Sequence, residues 1–106
     1  MKIPKKIQIL NMTFEIKRDK RVLGHFIFKD KRNHNKPTIY LINNNDRVLE
    51  PFIHETLEIV LELVRARYER GDEADNYVFY YSHKEHDLVA KVMSQVVQQL
   101  LDYNSK

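Results

Sequence analysis

Phe52-Ile53-His54-Glu55-Thr56-Leu57-Glu58-Ile59-Val60-Leu61 is the stretch on which the fold turns. Phe52, Ile53, Leu57, Val60, Leu61 and Val64 recur at spacings of three and four, the period of an amphipathic helix. Pro51 suits the first helical turn, and Asn43-Asn44-Asn45-Asp46 upstream is a turn and capping cluster, because such side chains compete for backbone hydrogen bonds. The spacing predicts a long helix that runs to a stop at Gly71.

On the N-terminal side of this helix the period changes to two. Ile7 and Ile9, then Phe14 and Ile16, alternate with polar residues, and Val22 to Phe28 and Thr38 to Ile42 form two further apolar runs around a charged stretch from Lys29 to Lys36. Such alternation marks half-buried strands, and three strands in an antiparallel meander are expected. On the C-terminal side, Tyr77 to Tyr81 is a short aromatic segment, either a strand or an extended lead into a last helix, whose side chains are expected in the core. Ser82 with Glu85 three residues on is a capping-box pattern. Val89, Met93, Val96, Val97 and Leu100 then continue at helical spacing. The expected class is α+β: a three-stranded N-terminal meander packed on a long helix and a C-terminal helix, one domain over residues 1–106.

Composition narrows the function. No run of about 18 apolar residues is present, and Met1-Lys2-Ile3-Pro4-Lys5-Lys6 leads into no secretory apolar region, so a cytoplasmic protein that does not enter the membrane is expected. There is no cysteine, so disulfides are excluded and any metal would be held by histidine and carboxylate. Two glycines in the whole chain leave no glycine-rich phosphate loop, and no Ser-His-Asp pattern points to covalent catalysis. Residues 1–47 hold 12 Lys/Arg against 4 Asp/Glu, while residues 48–106 hold 6 against 11. A basic sheet face able to meet nucleic acid or an acidic partner fits that asymmetry, as does plain solubility.

The chemistry-bearing pattern sits in the opening stretch. On a helix His54 and Glu58 stand at i and i+4, so both project from one face and can converge on one ion, whereas Glu55 is turned aside by about 100°. The set has the form His-Glu-x-x-Glu, with Glu58 where zinc peptidases of the HExxH type carry a second histidine. A carboxylate ligates zinc at nearly the distance of an imidazole, so binding survives the exchange, but the added charge weakens the ion as a Lewis acid, and iron or manganese suits the set as well as zinc. A third ligand is sought at the start of the last helix, where His86 shares the face of Val89, Met93 and Val97 and His83 lies at the helix mouth. Charged residues at these spacings also decorate many solvated helices. His25 and His34 have no partner at ligand spacing and read as surface or packing residues.

Taken in order, Ile3-Pro4-Lys5-Lys6-Ile7-Gln8-Ile9, Thr13-Phe14-Glu15-Ile16, Leu23-Gly24, the strand at Thr38 to Ile42, Ile53-His54-Glu55-Thr56-Leu57-Glu58, Ser82-His83 and Leu101-Asp102-Tyr103-Asn104 resemble the short, phage-associated zinc-peptidase-like proteins of the ImmA/IrrE type. The resemblance implies a minimal zincin: a strand meander on a metal-bearing helix, His54, Glu58 and His83 as ligands, and Glu55 as general base. It implies a metal-dependent peptidase acting on a cytoplasmic protein, in host cytoplasm if phage-encoded. An edge strand at Lys36 to Ile42 could hold an extended peptide by β-addition. A second expectation is a catalytically silent relative that docks on a host or regulatory protein. A third is nucleic-acid binding through Lys5, Lys6, Lys17, Arg18, Lys20, Arg21, Lys29, Lys31 and Arg32.

Overall fold

The computed structural model describes residues 1–64, 67–69, 77–79 and 82–105. Its strands are β1 (Lys6–Ile9), β2 (Met12–Arg18), β3 (Gly24–Asp30), β4 (Lys36–Leu41), β5 (Arg67–Glu69) and β6 (Tyr77–Phe79), and its α-helices are α1 (Leu49–Leu63) and α2 (His83–Asn104). The α+β expectation holds. The three-stranded meander does not: β1 to β4 make a four-stranded mixed sheet in the order β1-β2-β4-β3, with β2 and β4 parallel and the other pairs antiparallel.

Two local features account for the difference. The N-terminal alternating segment is broken by Leu10, whose φ of 56° turns the chain back so that Ile9 faces Met12. A left-handed leucine is sterically costly, and leucine therefore sends no turn signal in the sequence. The run at residues 38–41 is buried throughout, on both faces of the sheet, which is the mark of an inner strand. β4 accordingly inserts between β2 and β3, and β3, half-buried along most of its length, takes the edge.

Both helices pack on one face of this sheet. Ile7, Ile9, Phe14, Ile16, Ile39 and Leu41 meet Phe52, Ile59 and Val60 of α1 and Val89, Val92, Val96 and Leu100 of α2, while Phe26 and Phe28 of β3 flank the cluster. Full burial of a phenylalanine such as Phe14 or Phe52 contributes about 2–3 kcal/mol. No helix among the described residues is long and apolar enough to cross a membrane.

The helix boundaries differ from expectation in informative ways. α1 ends at Leu63, and the Val64 amide closes its last turn on the Val60 and Glu62 carbonyls, well short of Gly71, which lies outside the described residues together with the acidic segment 72–75. The asparagine cluster forms a turn rather than a cap: Asn44 accepts from the Asp46 amide at 2.9 Å, and the cap position, Val48, offers no side-chain acceptor. The buried arc of α1 contains Thr56 and Ile59, and Ile53 and Leu57 are left exposed. At α2 the capping box is formed in full, with the Glu85 amide donating to Ser82 Oγ at 3.2 Å and the Ser82 amide donating to Glu85 Oε1 at 2.9 Å. Along it Val92 is buried and Val97 exposed, a rotation of the apolar face by one position from the expected set. Tyr77–Phe79 is a strand paired antiparallel to β5, and Tyr80 and Tyr81 lie outside the described residues.

Candidate metal centre

α1 begins beside the start of β3, and a glycine makes that approach feasible. A Cβ built on Gly24 would lie 3.1 Å from Pro51 Cβ, 3.2 Å from Glu55 Cγ and 3.3 Å from Glu55 Oε2. Any larger side chain would push the first turns of α1 away from the sheet edge. Glu55 is therefore pressed between α1 and β3 and is 6% exposed.

That packing changes the part Glu55 plays. A rotation of 100° per residue turns it aside from the His54–Glu58 ridge, yet its carboxylate folds back to within 3.9 Å of His54 Nε2, while Glu58 Oε2 lies 3.1 Å from the same nitrogen. One donor atom from each of His54, Glu55 and Glu58 falls within 4.8 Å of the others. The three form a gradient from solvent to interior: the His54 side chain is 66% exposed, that of Glu58 24% and that of Glu55 8%.

The donor set fits a divalent ion. Bonds of about 2.0–2.2 Å to nitrogen and oxygen put tetrahedral donors about 3.4 Å apart, and the His54–Glu58 separation of 3.1 Å and the His54–Glu55 separation of 3.9 Å each lie within about half an ångström of that. One imidazole and two carboxylates, with no thiolate in the chain, is a hard to borderline set that suits zinc, iron(II) or manganese.

Two further histidines lie at the start of α2. His83 is exposed and pairs with Asp87 of its own helix, Nε2 to Oδ2 at 3.6 Å. His86 is exposed one turn into α2, its amide donating to the Ser82 carbonyl at 2.9 Å. Neither contributes to the three-residue group around His54.

The group opens on a cleft of about 650 Å3 whose walls include Leu23, Gly24, Arg47, Leu49, His54 and Glu55. Helical spacing in the sequence points to α1 and its donors; for the cleft wall contributed by β3 the one available signal is that glycine is rare in this chain, with two in all, and one of them is Gly24. No family model, no curated protein and no solved structure matches this chain.

The two edge strands of the sheet, β1 and β3, are treated differently by the described residues. Gln99 of α2 accepts from the Gln8 amide at 2.8 Å and donates from Nε2 to the Gln8 carbonyl at 2.7 Å. Asn104 does the same at Lys2, accepting from its amide and donating to its carbonyl, both at 2.8 Å. Gln99 thus takes up the outward backbone groups of β1 at Gln8, and Asn104 holds the chain ahead of the strand at Lys2. At the opposite edge, the outward backbone groups of β3 between His25 and Lys29 bond to none of the described residues. The strand expected to carry a peptide, Lys36 to Ile42, is β4 and is paired on both sides, which removes it from that role.

Proposed function

We propose that this chain is a zincin-like, metal-dependent hydrolase of peptide bonds, in which His54 and Glu58 hold a divalent ion, Glu55 moves the proton, and an extended protein segment adds to the sheet along β3. The single observation that carries this reading is the convergence of His54, Glu55 and Glu58 at the mouth of a cleft bounded by the first residue of β3.

A bound zinc, iron or manganese ion supplies Lewis acidity toward a peptide carbonyl. The protein supplies the remainder. A peptide paired with β3 brings its carbonyls past Gly24, where the absent side chain leaves room over Glu55. Glu55, set below that line and within 3.9 Å of His54, accepts a proton from the attacking water and returns it to the departing amine. Glu58 in place of a histidine adds negative charge, which supports a harder ion and slower turnover than a two-histidine set.

Elemental analysis of the protein purified without added metal or chelator, alongside His54→Ala, tests the proposal. Near-stoichiometric zinc, iron or manganese that disappears in the variant is the expected result, and metal absent from both would overturn it. Cleavage of a peptide mixture that is lost in Glu55→Gln with metal retained separates hydrolysis from metal binding alone.

A further inference from the structure

The face of the sheet opposite the helices is polar, and its charges are arranged in a particular way. Three acids lie on it or at its rim, and each is paired with a base from the same side: Glu15 with Lys36 at 3.0 Å, Asp19 with Arg21 at 3.1 Å and Asp30 with Arg32 at 3.8 Å. Lys6 and Lys17 share the side of Glu15 by strand alternation, and Lys20 and Lys31 follow at the strand ends; none of the four has an ion pair among the described residues. Arg18, by contrast, is spent on the Ile42 carbonyl and the Asn45 side chain.

An aromatic platform stands in the middle of that face. Tyr40 is 8% exposed because His25 stacks on its ring, centroids 4.9 Å apart and planes 20° apart, and the Arg32 guanidinium lies 4.9 Å from the same ring. Tyr40 is held in turn by its hydroxyl donating to the Asp30 carboxylate. His25 is half-exposed above this stack. The opposite side of the molecule has the other sign: α1 and α2 carry seven Asp/Glu against two Lys.

The geometry points to single-stranded nucleic acid as the ligand of this face, with Lys6, Lys17, Lys20 and Lys31 meeting phosphates and a base stacking on His25. Uncompensated lysines around a rigid, half-exposed aromatic stack are what such a strand requires, since its bases are free to stack and its backbone supplies the charge. A duplex hides its base faces and cannot use the His25 platform. The acidic helices repel a polyanion and leave the sheet as its landing surface. This site is separate from the His54 group and does not depend on it.

The test is fluorescence anisotropy of a labelled 12-nucleotide single strand titrated with the protein. Affinity should fall about fifty-fold between 50 and 200 mM salt if four phosphates are engaged. Lys17→Glu should weaken binding at least ten-fold at 50 mM salt, whereas Lys91→Glu on exposed α2, an identical change of net charge, should leave it unaltered. His25→Ala should weaken binding several-fold without changing the salt slope, because it removes stacking rather than charge. Circular dichroism identifies any variant that fails to fold; Lys17 is exposed and carries the test if His25→Ala does not fold. No binding at 50 mM salt, equal loss in Lys17→Glu and Lys91→Glu, or competition by duplex as effective as by single strand would each overturn the assignment.

Discussion

The Gln99 side-chain amide completes the β-sheet at Gln8, accepting from its amide at 2.8 Å and donating to its carbonyl at 2.7 Å, as a fifth strand would. This contact joins α2 to the β1 edge of the sheet across 91 residues of sequence, and β3 forms the opposite edge. On the proposed reading, a peptide adds to the sheet at β3, beside the cleft.

Gln99→Ala removes both bonds and exposes the edge. Water replaces part of what is lost, so the expected destabilisation is about 1 kcal/mol. Urea denaturation reads it, and sedimentation velocity should show concentration-dependent association absent from the parent chain. Unchanged stability together with unchanged monodispersity would show that Gln99 is decoration.

Gly24→Ala tests the close approach that sets Glu55 in place. The new methyl meets Pro51 Cβ at 3.1 Å and Glu55 at 3.2–3.3 Å, and Pro51, fixed in the first turn of α1, has little room to yield. A loss of about 1 kcal/mol is expected, growing to about 2–3 kcal/mol for Gly24→Val as overpacking forces the helix outward. Cleavage should fall in step with stability, because displacing Glu55 takes the proton acceptor away from His54. A Gly24→Val protein as stable and as active as the parent would refute the packing argument.

How much of this could be read from residues alone varies by element. The helices were legible because their apolar period and the Ser82–Glu85 box are local signals, and His54 with Glu58 followed from the same period. Sheet order was not: it depends on a left-handed Leu10 that no turn preference announces and on a parallel β2–β4 pairing between segments some twenty residues apart. The continuous burial of Thr38 to Leu41 was written in the sequence as an unbroken apolar run, and that run was the available sign of an inner strand. Glu55 could not be placed by helical angle, because its flexible side chain is steered by Gly24 of a distant strand.

The buried pair Asp30 and Tyr40 makes stability depend on pH at both ends. Hydrogen bonding from Tyr40 holds the Asp30 carboxyl below the usual aspartate range, against the upward push of its burial and with help from the Arg32 amide. Folding thus favours the ionised form, and this contribution is in place above the ordinary aspartate pKa of about 4 and is lost as pH falls through the lowered native value. The same bond raises the Tyr40 hydroxyl, so its contribution is complete below the ordinary tyrosine pKa of about 10 and is lost as pH rises through the raised native value. Tyr40→Phe should lower the urea midpoint at neutral pH, and the gap from the parent should close toward pH 2. A gap that stays constant across that range would mean the bond does not couple to ionisation.

Metal binding should register as thermal stability, since an ion held by the folded α1 has no equivalent site in the unfolded chain. At a free concentration one hundred times the dissociation constant the gain is about 2.7 kcal/mol, which corresponds to a rise in Tm of roughly 10 °C for a domain of this size. His54→Ala should abolish the rise, because it removes the nitrogen to which both carboxylates point. Glu58→Gln, with its 3.1 Å neighbour weakened from charge to dipole, should shrink it, and Glu55→Gln should shrink it less, since Glu55 stands farther off at 3.9 Å. His83→Ala and His86→Ala should leave it intact, because neither side chain belongs to the His54 group. Loss of the rise in His83→Ala or His86→Ala would instead mean that α2 moves its N-terminus onto the ion when metal binds, and equal rises in parent and His54→Ala would place the ion elsewhere on the surface.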